Sequence, residues 1–360
     1  MARPPLLRGP AATPRRLYVL PTGSRWSENS GTGPSATCAL RARLLILIRG
    51  GGEERHGQVR PVERTQVLTN AEQNGPDGPS RRARASTVPA LGDPLGLGRT
   101  AEVFARGDEE VVKLLRPGFP ERVGEHEAVV AALVADAAVG APRFLGTTRI
   151  EGRFGLVFER LRGPSMLDRV AGHPWEIDQA ARRFAELHAA MHEANGIGLP
   201  DQKAEVARMI ERAGPCLPED ARQSALARLA ALPYGVAICH GDMHAGNVLV
   251  TPRGEIVIDW ETASCGDAAG DVARSLFLMR FGSIPAYVPR VQRGLIALAK
   301  QRFSSVYLRQ YRRLRRIDDR DIAAWRLPIF AARLGEEIEE ERAGLQGLIR
   351  REMDLARHMG

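Results

Sequence analysis

Three polar residues in the second half of the chain have types and spacing that could hold a metal ion beside a general base. Asp242 is followed five residues later by Asn247, and Asp259 ends the next apolar segment. Carboxylate and amide oxygens are the hard ligands that Mg²⁺ prefers. A carboxylate on the loop before them could accept the proton of an attacking hydroxyl group. The sequence therefore predicts that Asn247 and Asp259 hold Mg²⁺ and that Asp242 acts as a base.

A β-hairpin is expected to position these residues. The apolar segments 248–250 and 255–258 are separated by a turn of sequence Thr-Pro-Arg-Gly, which has typical turn chemistry. If the two residues that flank the turn pair with each other, Asn247 and Asp259 lie together at the open end of the hairpin.

Two other interpretations of this segment are open. His240, Asp242 and His244 form an H-x-D-x-H pattern, whose side chains are suitable ligands for a transition metal. No further His or Cys cluster completes such a shell, so His244 is expected to line the loop. An isolated Asp before a turn commonly caps that turn, but here the base, the amide and the second Asp occur together.

The surrounding chain predicts a small antiparallel sheet with one helix, followed by a mainly helical region. Short strands are expected at 102–106, 110–115, 143–146 and 154–159, with a helix after Pro120. Beyond Gly163-Pro164 an amphipathic helix is predicted from Trp175 to Asn195, with Ile177, Ala180, Phe184, Leu187 and Met191 on its apolar face. Further helices are expected at about 201–213, 219–231 and within 268–360.

The segment His240-Gly-Asp-x4-Asn247, followed by Ile258-Asp-Trp260, resembles the catalytic loop and metal motif of the aminoglycoside phosphotransferase and choline-kinase-like family. The resemblance extends over roughly residues 87–300. It implies an α+β, bilobal, protein-kinase-like fold. It also implies in-line transfer of the γ-phosphoryl group of ATP, with Mg²⁺, to a hydroxyl of a small molecule.

The resemblance assigns a role to each matching residue. Asp242 would be the catalytic base, His240 would brace the catalytic loop, and Asn247 and Asp259 would be the Mg²⁺ ligands. Asp271, in Gly-Asp-Val-Ala, would also brace that loop. The nucleotide side would consist of Gly96, Gly98, Lys113, Glu127 and Glu159, the last at the hinge whose backbone would bind adenine.

Lys113 is conspicuous because the chain uses Arg almost everywhere else. Of 51 basic residues only three are Lys, and Lys113 lies within an apolar strand. An ion-pair partner is expected on the following helix, where Glu127 is preferred to Glu125. Gly96 and Gly98 would let backbone N–H groups approach phosphates, although G-x-G alone also fits an ordinary turn. A snorkelling strand residue is the plain alternative for Lys113.

The predicted organisation is a disordered basic extension at 1–86, a nucleotide-binding lobe at 87–161 and a catalytic and substrate lobe at 162–360. The predicted function is that of an active small-molecule kinase. The alternative is a nucleotide-binding regulatory pseudokinase of the same fold, which the incomplete glycine loop would suit.

The acceptor is expected to be an aminoglycoside-like molecule, an amino sugar or an amino alcohol, although the sequence does not choose among them. The acidic run Gly335–Glu341 could attract a cationic acceptor or could be a solvated helix face paired with Arg333 and Arg342. The arginine-rich segment 309–316 would suit an anionic partner or solvation.

Composition places the excess charge at one end. Residues 1–86 hold 14 Arg and 6 acidic residues, whereas 87–360 hold 37 of each sign. No nucleic-acid partner is therefore expected beyond non-specific contact by the basic segment. The run Leu44–Ile48 is too short to span a membrane and no C-x-x-C pair is present, so a cytoplasmic protein without a disulfide framework is expected.

Overall fold

The computed structural model describes residues 91–137, 139–282 and 289–359. The predicted basic extension at 1–86 lies outside the described residues, and the proposed lobe boundaries remain predictions. Among the described residues, no helix is long and apolar enough to cross a membrane.

A five-stranded antiparallel sheet opens the described chain. Its spatial order is β1-β2-β3-β5-β4, and one helix, α1, joins β3 to β4. The bounds are β1 Gly96–Leu97, β2 Ala101–Arg106, β3 Glu110–Leu115, α1 Glu121–Asp136, β4 Phe144–Ile150 and β5 Arg153–Glu159. This order confirms the predicted order of strands and helix. Gly107, with a φ of 70°, turns the chain between β2 and β3, and Pro120 precedes α1.

The rest of the described chain is mainly helical. The first helices are α2 Met166–Gly172, α3 Ile177–Met191, α4 Gln202–Arg212 and α5 Glu219–Ala231. The later helices are α6 Ala268–Phe281, α7 Arg290–Leu314, α8 Asp319–Ala324, α9 Arg326–Leu334 and α10 Glu339–Met359. Short 3₁₀ turns occupy 174–176, 214–216 and 245–247.

The core of this helical part forms where α3 packs on α7. Phe184 is fully buried, and its ring lies 5.5 Å from that of Phe303 and 5.2 Å from that of Tyr307. Burying one such ring contributes about 1.5–3 kcal/mol. The helix predicted from Trp175 to Asn195 is shorter at both ends in the structure. Residues 174–176 form a 3₁₀ turn, and α3 stops at Met191.

The buried face of α3 differs from the predicted apolar stripe. Phe184 and Met191 are buried as expected, whereas Ile177, Ala180 and Leu187 are only partly buried. Their place in the core is taken by a set that includes two histidines: Ala181, Ala185, His188, Ala189 and, just past the helix end, His192. An apolar count misses such a face, since His is polar in isolation and buried here with partners.

The predicted hairpin consists of β7 Val248–Thr251 and β8 Gly254–Val257. Val250 is paired with Glu255, so the predicted register is confirmed. A second two-stranded sheet pairs β6 Ala237–Cys239 with β9 Ser264–Gly266. In the sequence, β6 precedes the hairpin and β9 follows it. Together the two small sheets hold both ends of the segment that contains the candidate site.

Candidate functional site

The loop that follows β6 is fastened to helix α6 by one carboxylate. Asp271 is fully buried, and its two oxygens accept hydrogen bonds from the backbone N–H groups of His240 at 2.6 Å and Gly241 at 2.8 Å. Gly241 has a φ of 75°, and a Cβ there would lie 2.7 Å from the Thr262 carbonyl oxygen. The close approach of the two segments therefore requires a glycine.

His240 joins this loop to the hairpin. Its buried ring accepts a hydrogen bond from the Asp242 N–H at Nδ1, 3.2 Å away, so the proton on Nε2 is donated to the Ile258 carbonyl at 3.1 Å. Trp260 covers the ring at a centroid distance of 4.7 Å. Burial lowers the pKa of His240 against the pull of nearby carboxylates. The neutral ring thus couples the two predicted ligand-bearing segments.

Asp242 and Asn247 lie side by side. The Asn247 amide nitrogen donates to the Asp242 carbonyl oxygen at 2.9 Å and to its carboxylate at 3.2 Å. Both side chains are buried. Because the nitrogen of Asn247 is used in this way, its Oδ1 is the atom that could coordinate a cation. His244 Nε2 lies 3.6 Å from the Asp242 carboxylate, which fits the expected loop-lining position.

The hairpin brings Asp259 to the same end. The Ile258 N–H donates to the Asn247 carbonyl at 2.9 Å, so these two positions face each other as expected. Asp259 has a φ of 66°, in the left-handed region that non-glycine residues rarely adopt. Such strain is typical of residues whose position is imposed by their surroundings.

Lys113 on β3 meets three carboxylates at this point. Its Nζ lies 2.6 Å from Glu127 on α1, 3.1 Å from Asp259 and 3.0 Å from Glu261. The ion pair with Glu127 is the one expected from the sequence. Burial alone would lower the pKa of Lys113, but the carboxylates outweigh it and hold the pKa well above its usual value.

The carboxylates outnumber the ammonium group that they surround. Oxygens of Glu127, Asp259 and Glu261 all lie within 4.8 Å of one another. Burial raises the pKa of Glu127 to about 7, opposed by Lys113 and reinforced by the other two carboxylates. A divalent cation would relieve this excess negative charge, so the donor set fits the predicted Mg²⁺.

Glu261 was not identified from the sequence. It follows Asp259 by two residues, and its contact with Lys113 spans 148 positions along the chain. The acidic pair Asp-Trp-Glu was the available signal, but local spacing alone does not distinguish a site carboxylate from a solvated one.

The structure also locates Gly96, Gly98 and Glu159, and their nucleotide-binding role stays a prediction. The Gly98 N–H donates to the Ala101 carbonyl at 2.8 Å, and Gly96 lies in β1 opposite Val103. Gly98 therefore closes a tight β1–β2 turn. The Glu159 N–H donates to the Arg143 carbonyl at 3.0 Å.

Most of the acidic run near the C-terminus is paired with arginines. Arg333 contacts Glu341 at 2.7 and 3.0 Å, with both side chains nearly buried. The remaining pairs are Glu336 with Arg274 and Arg333, Glu337 with Arg212, and Glu339 with Arg342. Arg274 also donates to the Gly241 carbonyl at 3.1 Å, which ties this network to the loop.

Residues 92–304 match the model of the phosphotransferase enzyme family, APH, over more than half of the chain. The chain therefore belongs to this family. No protein among the curated sequences matches it.

Solved structures confirm the fold class. One is a thermostable mutant of the aminoglycoside phosphotransferase APH(4)-Ia in ternary complex with AMP-PNP and hygromycin B. It is 17% identical with a TM-score of 0.50, and the match covers 74% of this chain and 95% of that one. Another is the amicoumacin kinase hAmiN with AMP-PNP, Ca²⁺ and Ami, at 14% identity, a TM-score of 0.50 and coverage of 72% and 86%. The predicted bilobal protein-kinase-like fold, with a small antiparallel sheet and a larger helical part, is thus confirmed.

Proposed function

We propose that this protein transfers the γ-phosphoryl group of MgATP to a hydroxyl group of a small molecule. The observation that carries the proposal is the meeting of Lys113 with Glu127 from α1 and with Asp259 and Glu261 from the segment after β8, near the buried Asp242–Asn247 pair. Membership in the phosphotransferase enzyme family agrees with this chemistry. Phosphoryl transfer depends on positioning and on neutralising charge, which such an arrangement can supply.

Each residue has a proposed task. Asp242 accepts the proton of the attacking hydroxyl, and His240 keeps its loop against the hairpin. Asn247 Oδ1 and Asp259 hold the cation, with Glu261 as an additional carboxylate nearby. Mg²⁺, when bound, would neutralise charge on the phosphate oxygens.

Lys113 would contact the nucleotide phosphates, with Glu127 orienting it. Gly96, Gly98 and the hinge around Glu159 would complete the ATP site. The internal hydrogen bond of Gly98 means that any phosphate contact by this amide requires the turn to open.

The proposed acceptor is an aminoglycoside-like molecule, an amino sugar or an amino alcohol. Of two similar structures, one is an aminoglycoside phosphotransferase in complex with hygromycin B and the other is an amicoumacin kinase in complex with Ami. In this chain Glu336 and Glu341 are already paired with arginines. Binding of an acceptor amine would therefore depend on carboxylates other than these two.

An ATP-consumption assay of the full chain with MgATP and a panel of amino sugars, amino alcohols, antibiotics and sugars tests the function. Asp242→Ala should lower kcat by about 10²–10⁴ and leave MgATP affinity nearly unchanged. Asp136→Ala, at an exposed position at the end of α1, is the matched control. Normal turnover by Asp242→Ala would refute the assignment of the base. MgATP binding with no turnover across the panel would favour the pseudokinase.

A further inference from the structure

A buried polar cluster lies behind the loop that carries Asp242. His188 and His192 each approach Asp271 Oδ2 with Nε2, at 3.1 and 3.2 Å. Their Nδ1 atoms contact the hydroxyl groups of Tyr307 at 2.8 Å and Tyr311 at 2.7 Å. All five side chains are at most 3% exposed, so water does not compete for these hydrogen bonds.

The same spacing produces both halves of the cluster. His188 and His192 are four residues apart at the C-terminal end of α3, and Tyr307 and Tyr311 are four residues apart on α7. Residues at this spacing share one helix face. Each histidine therefore meets its own tyrosine where the two helices pack together.

The contacts specify where the protons are. A carboxylate can only accept, so each histidine must carry its proton on Nε2 and donate it to Asp271. In a neutral ring the Nδ1 is then an acceptor and receives the tyrosine proton. Two chains of hydrogen bonds, Tyr307–His188–Asp271 and Tyr311–His192–Asp271, run in the same direction and end on one oxygen.

The charge states agree with this direction. Burial and the neighbouring His188 lower the pKa of His192 to about 4, which keeps it neutral. Burial raises the pKa of Tyr307 and of Tyr311, so both keep the proton that they donate. Burial would raise the pKa of Asp271, but the hydrogen bonds from His188 and His192 outweigh it and hold the pKa well below its usual value.

Asp271 connects the two histidines to the loop that carries Asp242. The oxygen that receives both histidines also accepts the His240 N–H, and the other oxygen accepts the Gly241 N–H. Asp242 is the next residue in the chain. Because the carboxylate accepts from these four donors, its rotation would displace several hydrogen bonds at once.

We propose that Tyr307, His188, Tyr311 and His192 are positioning residues that act through Asp271 to hold the Asp242 loop in its reactive geometry. We call the four side chains the Tyr–His relay. The inference rests on the proposed function for its catalytic consequence, but not for its effect on the loop.

A metal site is the competing interpretation of the same side chains, since His188, His192 and Asp271 could offer three ligand atoms. The direct separations of 3.1 and 3.2 Å are those of hydrogen bonds. A shared ion would replace the two Nε2 protons and would compete with the His240 N–H for Oδ2. The observed contacts therefore favour the relay.

Hydrogen exchange and kinetics of the full chain test the proposal. Tyr311→Phe and Tyr307→Phe each remove one hydroxyl, and His192→Phe removes both hydrogen bonds while keeping a ring. His192→Gln restores a donor toward Asp271. Ser304→Ala is the matched control, because it removes a buried hydroxyl of α7 that donates to the Lys300 carbonyl of the same helix.

The relay variants should exchange the amide protons of 240–242 faster by about 10-fold and lower kcat by about 10-fold, with KM for MgATP within about 3-fold of wild type. His192→Gln should recover most of both effects. Turnover is measured with an acceptor from the panel, or with water where the panel provides none.

Unchanged exchange at 240–242 in folded Tyr311→Phe and Tyr307→Phe would overturn the relay, as would equal effects in Ser304→Ala. If His192→Phe does not fold, the two tyrosine variants still decide. Absence of turnover in the wild type would refute the proposed function alone, because the exchange measurement does not require activity. Tight Zn²⁺ binding lost in His192→Phe would favour the metal site and overturn the relay.

Discussion

At the scale of single residues, the interaction between Lys113 and its three carboxylates controls the electrostatics of the site. One ammonium group cannot balance Glu127, Asp259 and Glu261, and the other two carboxylates add to the burial that raises the pKa of Glu127. The cluster is therefore suited to lose negative charge when a cation binds and to present Lys113 to an anion. Because these paired charges are partly buried, both the attraction of the carboxylates for a cation and that of Lys113 for an anion are strong.

Removing the ammonium group should weaken nucleotide binding. Lys113→Met loses a charged hydrogen-bond donor, worth roughly 1.5–3 kcal/mol, so the Kd for MgATP should rise by about 10- to 100-fold. Titration calorimetry measures it. Lys203→Met is the matched control, since Lys203 is also buried but donates to the Ala230 and Leu232 carbonyls away from the site. Equal losses in both variants would contradict a specific role.

His192 should make the stability of the protein depend on pH. Its pKa is about 4 when folded and 6.5 in the reference state, so the unfolded chain binds the proton first as pH falls. The contribution of neutral His192 is complete above about pH 6.5 and is lost as pH falls toward 4, by about 3 kcal/mol. Glu127 has the opposite sign, because its raised pKa lets the folded state bind a proton first below about pH 7.

The difference between His192→Gln and wild type isolates this effect, because Glu127 is common to both. The loss of unfolding free energy caused by the substitution should be about 3 kcal/mol smaller near pH 4 than near pH 7. Urea denaturation at both pH values measures it. A difference that does not change with pH would show that His192 titrates normally. His173→Gln, at an exposed position, should have little effect at either pH.

At the scale of elements, the local turns could be predicted from the sequence, whereas the helix faces that make contacts far apart in the sequence could not. The β7–β8 register follows from a four-residue turn and two apolar strands, so the sequence contains nearly all of the determining interactions. Lys113 was singled out because lysine is rare in this chain, and Glu127 was preferred to Glu125 as its partner because it resembles the Glu-Ala position of the family. The contact of His188 with Tyr307 spans 119 positions. No local pattern specifies which helix covers that face, and Glu261 was missed for the same reason.

The loop after β6 should tolerate no side chain at Gly241. Gly241→Ala introduces strain at a φ of 75° and a Cβ 2.7 Å from the Thr262 carbonyl oxygen. The loop must shift, and kcat should fall by about 10-fold or more, since Asp242 is adjacent.

Gly254→Ala separates strain from close approach. Gly254 also has a positive φ, 110°, but an added Cβ meets no atom within 4 Å. It should cost about 1–3 kcal/mol of stability with kcat retained. Thermal unfolding and steady-state kinetics compare the two variants. Equal kcat in both would show that close approach at Gly241 is unimportant.

At the scale of the whole molecule, a chain of ion pairs connects the C-terminal helices to the site. Arg274 contacts the Gly241 carbonyl and Glu336, Glu336 contacts Arg333, and Arg333 contacts Glu341 on α10. The Glu336 carbonyl also accepts a hydrogen bond from Arg99, in the β1–β2 turn, at 3.2 Å. Glu336, in the turn between α9 and α10, is therefore connected both to the β1–β2 turn and, through Arg274, to the loop that carries Asp242.

The Arg333–Glu341 pair provides the sharpest test of the structural role of these ion pairs. Both side chains are about 5% exposed, so removing one partner leaves a buried charge unpaired. Arg333→Met should cost about 3–5 kcal/mol of unfolding free energy. The double variant Arg333→Met with Glu341→Leu removes both charges and should recover most of that loss, since an apolar pair of similar volume packs in the same space. Guanidinium denaturation of the wild type, both single variants and the double variant measures the coupling.

If the two single losses of unfolding free energy simply add in the double variant, the Arg333–Glu341 pair is not what stabilises this region. A coupling energy of about 2 kcal/mol or more, with the acceptor KM of the double variant unchanged, would assign Glu341 to the structure and exclude it from acceptor binding.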